Sequence, residues 1–287
     1  MGSMKMNVFK LQGGLGNQLF IIAAVLHSIS RDRVTHKIDT SLFDNPSEIR
    51  NFVGWDILRQ LGLEDCELQK NSKSGDPLVI EKLKRFTEND VGLSQMSLPS
   101  HGAYIEGYFQ NFEFYKDGIF DLSKRINSVI NQNLANGILT ETSPNTAHVH
   151  VRRGDYLSMP HILDHHCQVA NYYIKALRYL NRMQPLDHIR IFTDDQNFCR
   201  EELKDQLTKY FDGSIEVVSD DQENPWLEFL SLADAEQMVI SNSSFSWWAA
   251  IVAYHCRGVK ASKIVYPKKW YKRKEHHLHV DDWVELD

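Results

Sequence analysis

Two arginines and an aspartate, Arg152, Arg153 and Asp155, stand in the run His148-Val149-His150-Val151-Arg152-Arg153-Gly154-Asp155-Tyr156. Each guanidinium offers a rigid fork of donors, so two side by side suit the oxygens of a diphosphate. Asp155 could orient one arginine or serve the chemistry itself. Val149 and Val151 alternate with polar residues, which predicts a short strand ending at a tight turn at Gly154. Open α/β sheets gather their ligand chemistry at the carboxyl ends of strands. A solvated Arg-Asp turn has the same local pattern, so the reading depends on what else the chain supplies.

It supplies four further stretches. Gln12-Gly13-Gly14-Leu15-Gly16-Asn17-Gln18 lies between an alternating run, 6–11, and an apolar run, 19–29, that reads as a mostly buried helix. Strand, glycine loop and helix place backbone N–H groups near an anion or a sugar, with Asn17 also suited to cap the helix. The spacing is neither GxGxxG nor a Walker P-loop. Asp194-Asp195 closes a predicted strand, 188–193. There it could meet a nucleobase or ribose, or cap the following helix. Ser241-Asn242-Ser243-Ser244-Phe245-Ser246 precedes a predicted helix, 247–255, and is a second candidate for phosphate. Tyr104, Glu106, Tyr108 and the aromatic run 109–115 could form a sugar-binding face, because rings stack on sugars and amides bond their hydroxyls. Core packing explains any single one of these rings equally well.

Around these stretches, strand and helix alternate. Strands are expected at 6–11, 34–38, 103–109, 188–193, 215–218, 239–240 and 261–266. Helices are expected at 19–29, 49–61, 119–139, 169–180, 198–210, 226–238 and 247–255, and 78–86 fits either. The polar, proline-containing segment 140–145 marks a boundary between domains 1–142 and 143–287. The regular alternation after it predicts an α/β domain with a parallel sheet.

The chain has 287 residues, of which 42% are hydrophobic and 24% charged, as expected of a globular protein. A net charge of -6 argues against a general nucleic-acid binder. The four cysteines form no CxxC or CxxH pattern, which points to reduced thiols in a cytosolic setting. Neither a signal peptide nor a bilayer-spanning apolar run is evident. His161, Asp164, His165 and His166 match no recognised zinc spacing, and His276, His277 and His279 read as a solvated tail.

Taken together, Gly13-Gly14-Leu15-Gly16-Asn17-Gln18-Leu19-Phe20, Gly107-Tyr108-Phe109-Gln110, His150-Val151-Arg152-Arg153-Gly154-Asp155-Tyr156, Thr193-Asp194-Asp195 and Ser241 to Trp248 resemble, in order and spacing, the bacterial α-1,2-fucosyltransferases of glycosyltransferase family 11. Ile21-Ile22 departs from the Gln-Tyr pair common in that family, and Ala249 replaces a frequent glycine. The resemblance implies the α/β fold called GT-B, two Rossmann-like domains facing a cleft, with the donor held mainly by the second. It implies inverting transfer of L-fucose from GDP-β-L-fucose to the 2-hydroxyl of a terminal galactoside. No cofactor and no metal are implied, GDP-fucose being the donor substrate.

By the same resemblance Arg152, with Arg153 beside it, would hold the β-phosphate and stabilise the leaving GDP, the task a metal performs in other transferases. His150 and Asp194 would approach guanine or ribose. Asn242, Ser243, Ser244, Phe245 and Ser246 would line the donor site, with the serines at the phosphates. Gly14, Gly16, Asn17 and Gln18 would face the donor across the cleft. Asp155 would organise the arginines, and Glu106 is the candidate base, with water or the leaving nucleotide as the other proton acceptors. The expected acceptor is a galactose-containing oligosaccharide, lipid-linked in O-antigen assembly. The setting is cytoplasmic, extending to the inner face of the membrane with peripheral contact at most, and without nucleic acid. A fucosyltransferase of another linkage or acceptor, and a non-catalytic nucleotide-sugar binding protein, are the alternatives.

Overall fold

The structure, a computed structural model of the chain, describes residues 6–31, 33–44, 54–68, 80–88, 99, 102–159, 165–218, 224–272, 278 and 280–287. The residues His161, Asp164, His276, His277 and His279 lie outside the described residues. The chain divides into two compact units, Met1–Val129 and Ile130–Asp287.

The first unit runs β1 (Met6–Lys10), α1 (Leu15–Arg31), β2 (Thr35–Asp39), α2 (Gly54–Gln60), β3 (Lys84–Thr87) and β4 (Ala103–Glu106). Its four strands are all parallel, in the order β2-β1-β4-β3. Segment 78–86 therefore resolves into an edge strand over its last residues. In α1 every residue from Leu15 to Ser28 except Asn17 is buried, as the unbroken apolar run requires. The helix opens at Leu15 rather than Leu19, because the carbonyl of Gly14 accepts the N–H groups of Asn17 and Gln18 and closes the first turn there. Asn17 is thus inside the helix and does not cap it. Helix α3 (Ile119–Ala135) follows, and the division between the units falls within it.

The second unit continues with β5 (Thr146–Val151), α4 (Gly154–Ser158), α5 (Ala170–Met183) and β6 (His188–Thr193). A π-helical segment, Phe198–Leu203, then leads into α6 (Lys204–Leu207). After these come β7 (Ser214–Val217), α7 (Pro225–Ala233), β8 (Gln237–Val239), α8 (Ser244–Cys256), β9 (Ile264–Pro267) and β10 (Val284–Leu286). The sheet is parallel throughout, in the order β10-β9-β8-β5-β6-β7. Val149, Val151, Ile189, Ile191, Val239 and Val265 form its core with Tyr172, Tyr173, Ala176, Leu177 and Leu180 of α5. That helix is amphipathic, with Asn171 and Lys175 on its exposed side.

Other predicted elements differ in extent as well. The helix expected at 226–238 stops at Ala233, and Gln237–Val239 enters the sheet between β5 and β9. A buried three-residue strand has no periodicity of its own to separate it from the apolar spacing of the helix before it. The strand expected from Ala261 begins at Ile264 after a 3-10 turn, and Val284–Leu286 forms an edge strand that the sequence pattern does not predict. No helix of the described residues is long and apolar enough to cross a membrane.

Candidate active site

Strand β5 lies between β8 on one side and β6 on the other, so the chain winds away from it in both directions. In a doubly wound sheet that reversal opens a crevice at the carboxyl ends of the strands, between the loops that follow the two diverging neighbours. Here those loops are Arg152–Gly154 after β5 and Ile240–Ser243 after β8. The sequence-predicted arginines and serines are thus brought to one place in the second unit.

Arg152 is gripped by two carboxylates. Asp155 Oδ2 lies 2.8 Å from its Nη2, and Asp194 Oδ2 lies 3.1 Å from its Nη1. Burial pulls the guanidinium pKa down, but Asp194 and then Asp155 push it further up, and the net shift is upward. Nη2 donates a hydrogen bond to Asp155, while Asp194 holds the other end of the group as an ion pair, and together they restrain the guanidinium. Asp194 also accepts the N–H groups of Arg153 at 2.8 Å and Gly154 at 3.0 Å, so one carboxylate shapes the turn and aims the arginine. Any Cβ at position 154 would sit 2.8 Å from Asp194 Oδ2, which is why that turn needs glycine. The glycine does not simply end the strand, as the sequence implied, but opens the short helix α4.

Arg153 is engaged elsewhere. Its Nε lies 3.0 Å from Asp195 Oδ2, its Nη1 donates to the Gln168 carbonyl at 3.3 Å, and its guanidinium lies over the Phe198 ring at 3.6 Å. Its side chain is 17% exposed against 29% for Arg152, so Arg152 is the arginine more open to a ligand. Asp195 accepts the Phe198 N–H at 3.0 Å and caps the following helical segment. Of the two aspartates, then, the second caps the next helix and the first holds the arginine turn.

His150, the β5 residue two before Arg152, is buried. Its Nδ1 is 2.8 Å from Ser241 Oγ, and its ring stacks on Phe245 with centroids 5.3 Å apart. Burial, and then the charge of Arg152, drive its pKa down to about 3, so the ring is neutral at physiological pH. Ser243 caps α8 by accepting the Phe245 N–H at 3.3 Å, which sets the positive end of the helix dipole at the same edge. Ser244 and Phe245 are half-buried, whereas Ser246 is buried and donates to the carbonyls of Ser241 and Ser243. Asn242 is also buried. Its Nδ2 donates to the carbonyls of His166 and Trp270, both at 2.7 Å, and its own carbonyl accepts from Tyr156 Oη at 2.8 Å. Asn242 therefore ties loops together.

Tyr156 and Gln168, which the sequence reading did not single out, complete that tie. Gln168 Nε2 donates to the Lys269 carbonyl at 2.7 Å, and Tyr156 stacks on His165 with centroids 4.4 Å apart. Their partners lie far away in sequence, so only the fold reveals them. Among the described residues no three of His, Cys, Asp and Glu group so as to hold a metal ion.

The remaining candidates lie in the first unit, at the carboxyl end of its own sheet. Gly13 and Gly14 are exposed, and Gly16 and Gln18 are buried. Gln18 Nε2 folds back to donate to the Gly13 carbonyl at 2.8 Å and braces the loop. Asn17 Oδ1 accepts from Gln110 Nε2 at 2.9 Å, which joins α1 to the loop after β4. Glu106, at the end of β4, has Lys10 Nζ 3.2 Å from Oε2 and Arg85 Nη1 3.0 Å from Oε1, so each carboxylate oxygen has a cation. Just beyond it, Phe109 is the one non-glycine residue of the described chain with a positive φ, 52°. Left-handed backbone at such a residue costs about 1–2 kcal/mol. The buried ring, packed edge-on against Phe9 and Phe114, holds it there.

The sequence model of the family Glycosyl transferase family 11 matches residues 79–287, more than half of the chain. The O-antigen biosynthesis glycosyltransferase WbnK of Escherichia coli is 25% identical over 317 aligned residues, covering 96% of this chain and 99% of that protein. An Alpha-1,2-colitosyltransferase of Escherichia coli is 25% identical over 309, covering 99% and 100%. Among solved structures, POFUT1 in complex with GDP is similar with a TM-score of 0.52 at 12% identity, over 93% of this chain and 99% of that one. POFUT1 in complex with GDP-fucose is similar with a TM-score of 0.51 at 11% identity, over 89% and 96%. With two parallel α/β sheets in hand, this likeness identifies the fold as GT-B, built of two Rossmann-like domains. By the family match, the chain belongs to glycosyltransferase family 11 and is a glycosyltransferase.

Proposed function

We propose that this glycosyltransferase moves L-fucose from GDP-β-L-fucose to the 2-hydroxyl of a terminal β-galactoside, with inversion and without a metal ion. The observation that carries the reading is the pairing of Arg152 with both Asp155 and Asp194 at the switch point of the second sheet, beside the capped start of α8. A preorganised guanidinium whose charge is kept by two carboxylates can stabilise a diphosphate as it leaves. In the reaction the acceptor oxygen bonds to C1 of fucose from the face opposite GDP. The C1–O bond to the β-phosphate breaks, and its electron pair leaves with GDP. The hydroxyl proton passes to a carboxylate, for which Glu106 is the candidate, or to water or the departing phosphate.

The acceptor fits a glycan of the O-antigen type, free or on a lipid carrier at the cytoplasmic face of the membrane. Support for this comes from the relative whose name specifies O-antigen biosynthesis. Colitose is a second reading for the transferred sugar, favoured by the relative named for α-1,2-colitosyl transfer. The test is incubation with GDP-fucose and GDP-colitose, each against a panel of galactosides, with products read by mass spectrometry. Transfer from GDP-fucose supports the reading, transfer from GDP-colitose alone replaces the donor, and turnover of neither refutes it.

A further inference from the structure

By sequence the aromatic stretch after β4 fits either a sugar face or the core, and the structure separates its rings. Tyr104, Phe109, Phe114 and Tyr115 are buried, while Tyr108 is 41% exposed. Three features hold that ring outward. The Tyr108 N–H donates to Glu88 Oε2 at 2.8 Å, which anchors its backbone to the end of β3. The next residue, Phe109, takes its left-handed φ with its ring locked between Phe9 and Phe114, at centroid distances of 6.0 and 5.7 Å. The Tyr108 ring then lies against Gly13, where any Cβ would sit 2.9 Å from its Cε1. Gly13 itself has φ of +76°, so both its conformation and its bareness are used.

The result is an exposed phenol fixed at the carboxyl edge of a parallel sheet. The Asn17–Gln110 amide pair borders the glycine loop it rests on, and Lys10 and Glu106 end the two central strands. Single exposed aromatics are common and need no explanation. One held out by a strained, buried neighbour is different, because strain that persists in a packed structure clusters where function uses it.

We propose that Tyr108 is the platform on which the acceptor sugar stacks, resting on the galactoside reading above. Galactopyranose carries its 4-hydroxyl axially, which leaves the C–H bonds of C3, C4 and C5 together on the opposite face. That face matches an aromatic ring, and the nearby amides and charged groups match the hydroxyls around its rim. Phe112, the other exposed ring of the stretch, packs on the edge of Tyr115 in a 3-10 turn and serves as the control.

The experiment is steady-state kinetics with GDP-fucose and methyl β-D-galactoside on the unaltered chain, Tyr108→Ala, Tyr108→Phe and Phe112→Ala. Tyr108→Ala is expected to raise the acceptor KM about tenfold, the size of a lost stack. The donor KM and the slow hydrolysis of GDP-fucose without acceptor should not move. Tyr108→Phe should stay within about twofold, since the face is kept, and Phe112→Ala should match the unaltered chain. An unchanged acceptor KM in Tyr108→Ala, or a donor KM that rises in parallel, overturns the platform. Failure of the unaltered chain to transfer fucose to any galactoside overturns the galactoside reading and the platform with it, and is seen before any variant is compared.

Discussion

Asp194 Oδ2 lies 3.1 Å from Arg152 Nη1 and also accepts the Gly154 N–H at 3.0 Å, so the residue that aims the arginine also builds the turn that carries it. Removing the guanidinium with Arg152→Ala should cost about 3 kcal/mol of transition-state stabilisation, on the order of a hundredfold in rate. Arg153→Ala should cost less in turnover, because that side chain is committed to Asp195, Gln168 and Phe198. Asp194→Asn should fall between them. Single-turnover rates for the three variants check the ranking, and an Arg152→Ala enzyme of near-normal rate would sink the assignment.

Asp155 and Glu106 are assigned separate work. With Oδ2 on Arg152, Asp155 is placed to organise the donor site, and Asp155→Asn should weaken GDP-fucose binding. Glu106→Gln should lower turnover by about tenfold or more and leave donor affinity alone, as expected of a base. Donor affinity by calorimetry and transfer rate by quench-flow separate the two. Normal turnover in Glu106→Gln, with normal binding but failed transfer in Asp155→Asn, means that the roles are reversed.

Activity should persist after exhaustive treatment with EDTA, since in this account the positive charge at the leaving group comes from Arg152. Activity lost to the chelator and restored only by Mn²⁺ or Mg²⁺ refutes the substitution of arginine for a metal.

Stability should fall as the solution turns acidic. Burial lowers His148 and His150 to a pKa of about 3 in the folded chain. The unfolded chain takes up those protons near 6.5, so between the two values falling pH favours unfolding. Each residue contributes a slope of up to about 1.4 kcal/mol per pH unit below pH 6. Denaturant titrations at pH 7.5, 6 and 5 measure it. His150→Asn should flatten the slope, and a slope independent of both histidines contradicts their burial as neutral rings.

The sequence exposed the parts of the site that are local. Arg152, Arg153 and Asp155 sit within four residues, and Ser243 directly precedes the helix it caps, so their types and spacing were enough to find them. What joins them is not local. The bonds from Asp194 to the arginine turn span 40 and 41 residues, and no pattern in one segment reports a partner in another. The same holds for Gln168 and Tyr156, which are ordinary side chains until the fold sets them beside Lys269 and Asn242. Tyr108 was legible as an aromatic but not as the exposed one. Alternation along a strand predicts which face a ring takes, and that rule fails where Phe109 turns left-handed, a conformation that a phenylalanine in sequence gives no reason to expect. The short strand β8 was hidden for the opposite reason, since a buried run beside a helix carries the same apolar signal.

The most direct test of fucosyl transfer to the 2-hydroxyl is a parallel incubation of GDP-fucose with methyl β-D-galactoside and with its 2-deoxy analogue, followed by NMR of any product. An α-fucosyl product on O2 of the first and no product from the second are expected. A fucosylated 2-deoxy galactoside, or a product from the first joined through any other oxygen, contradicts transfer to the 2-hydroxyl.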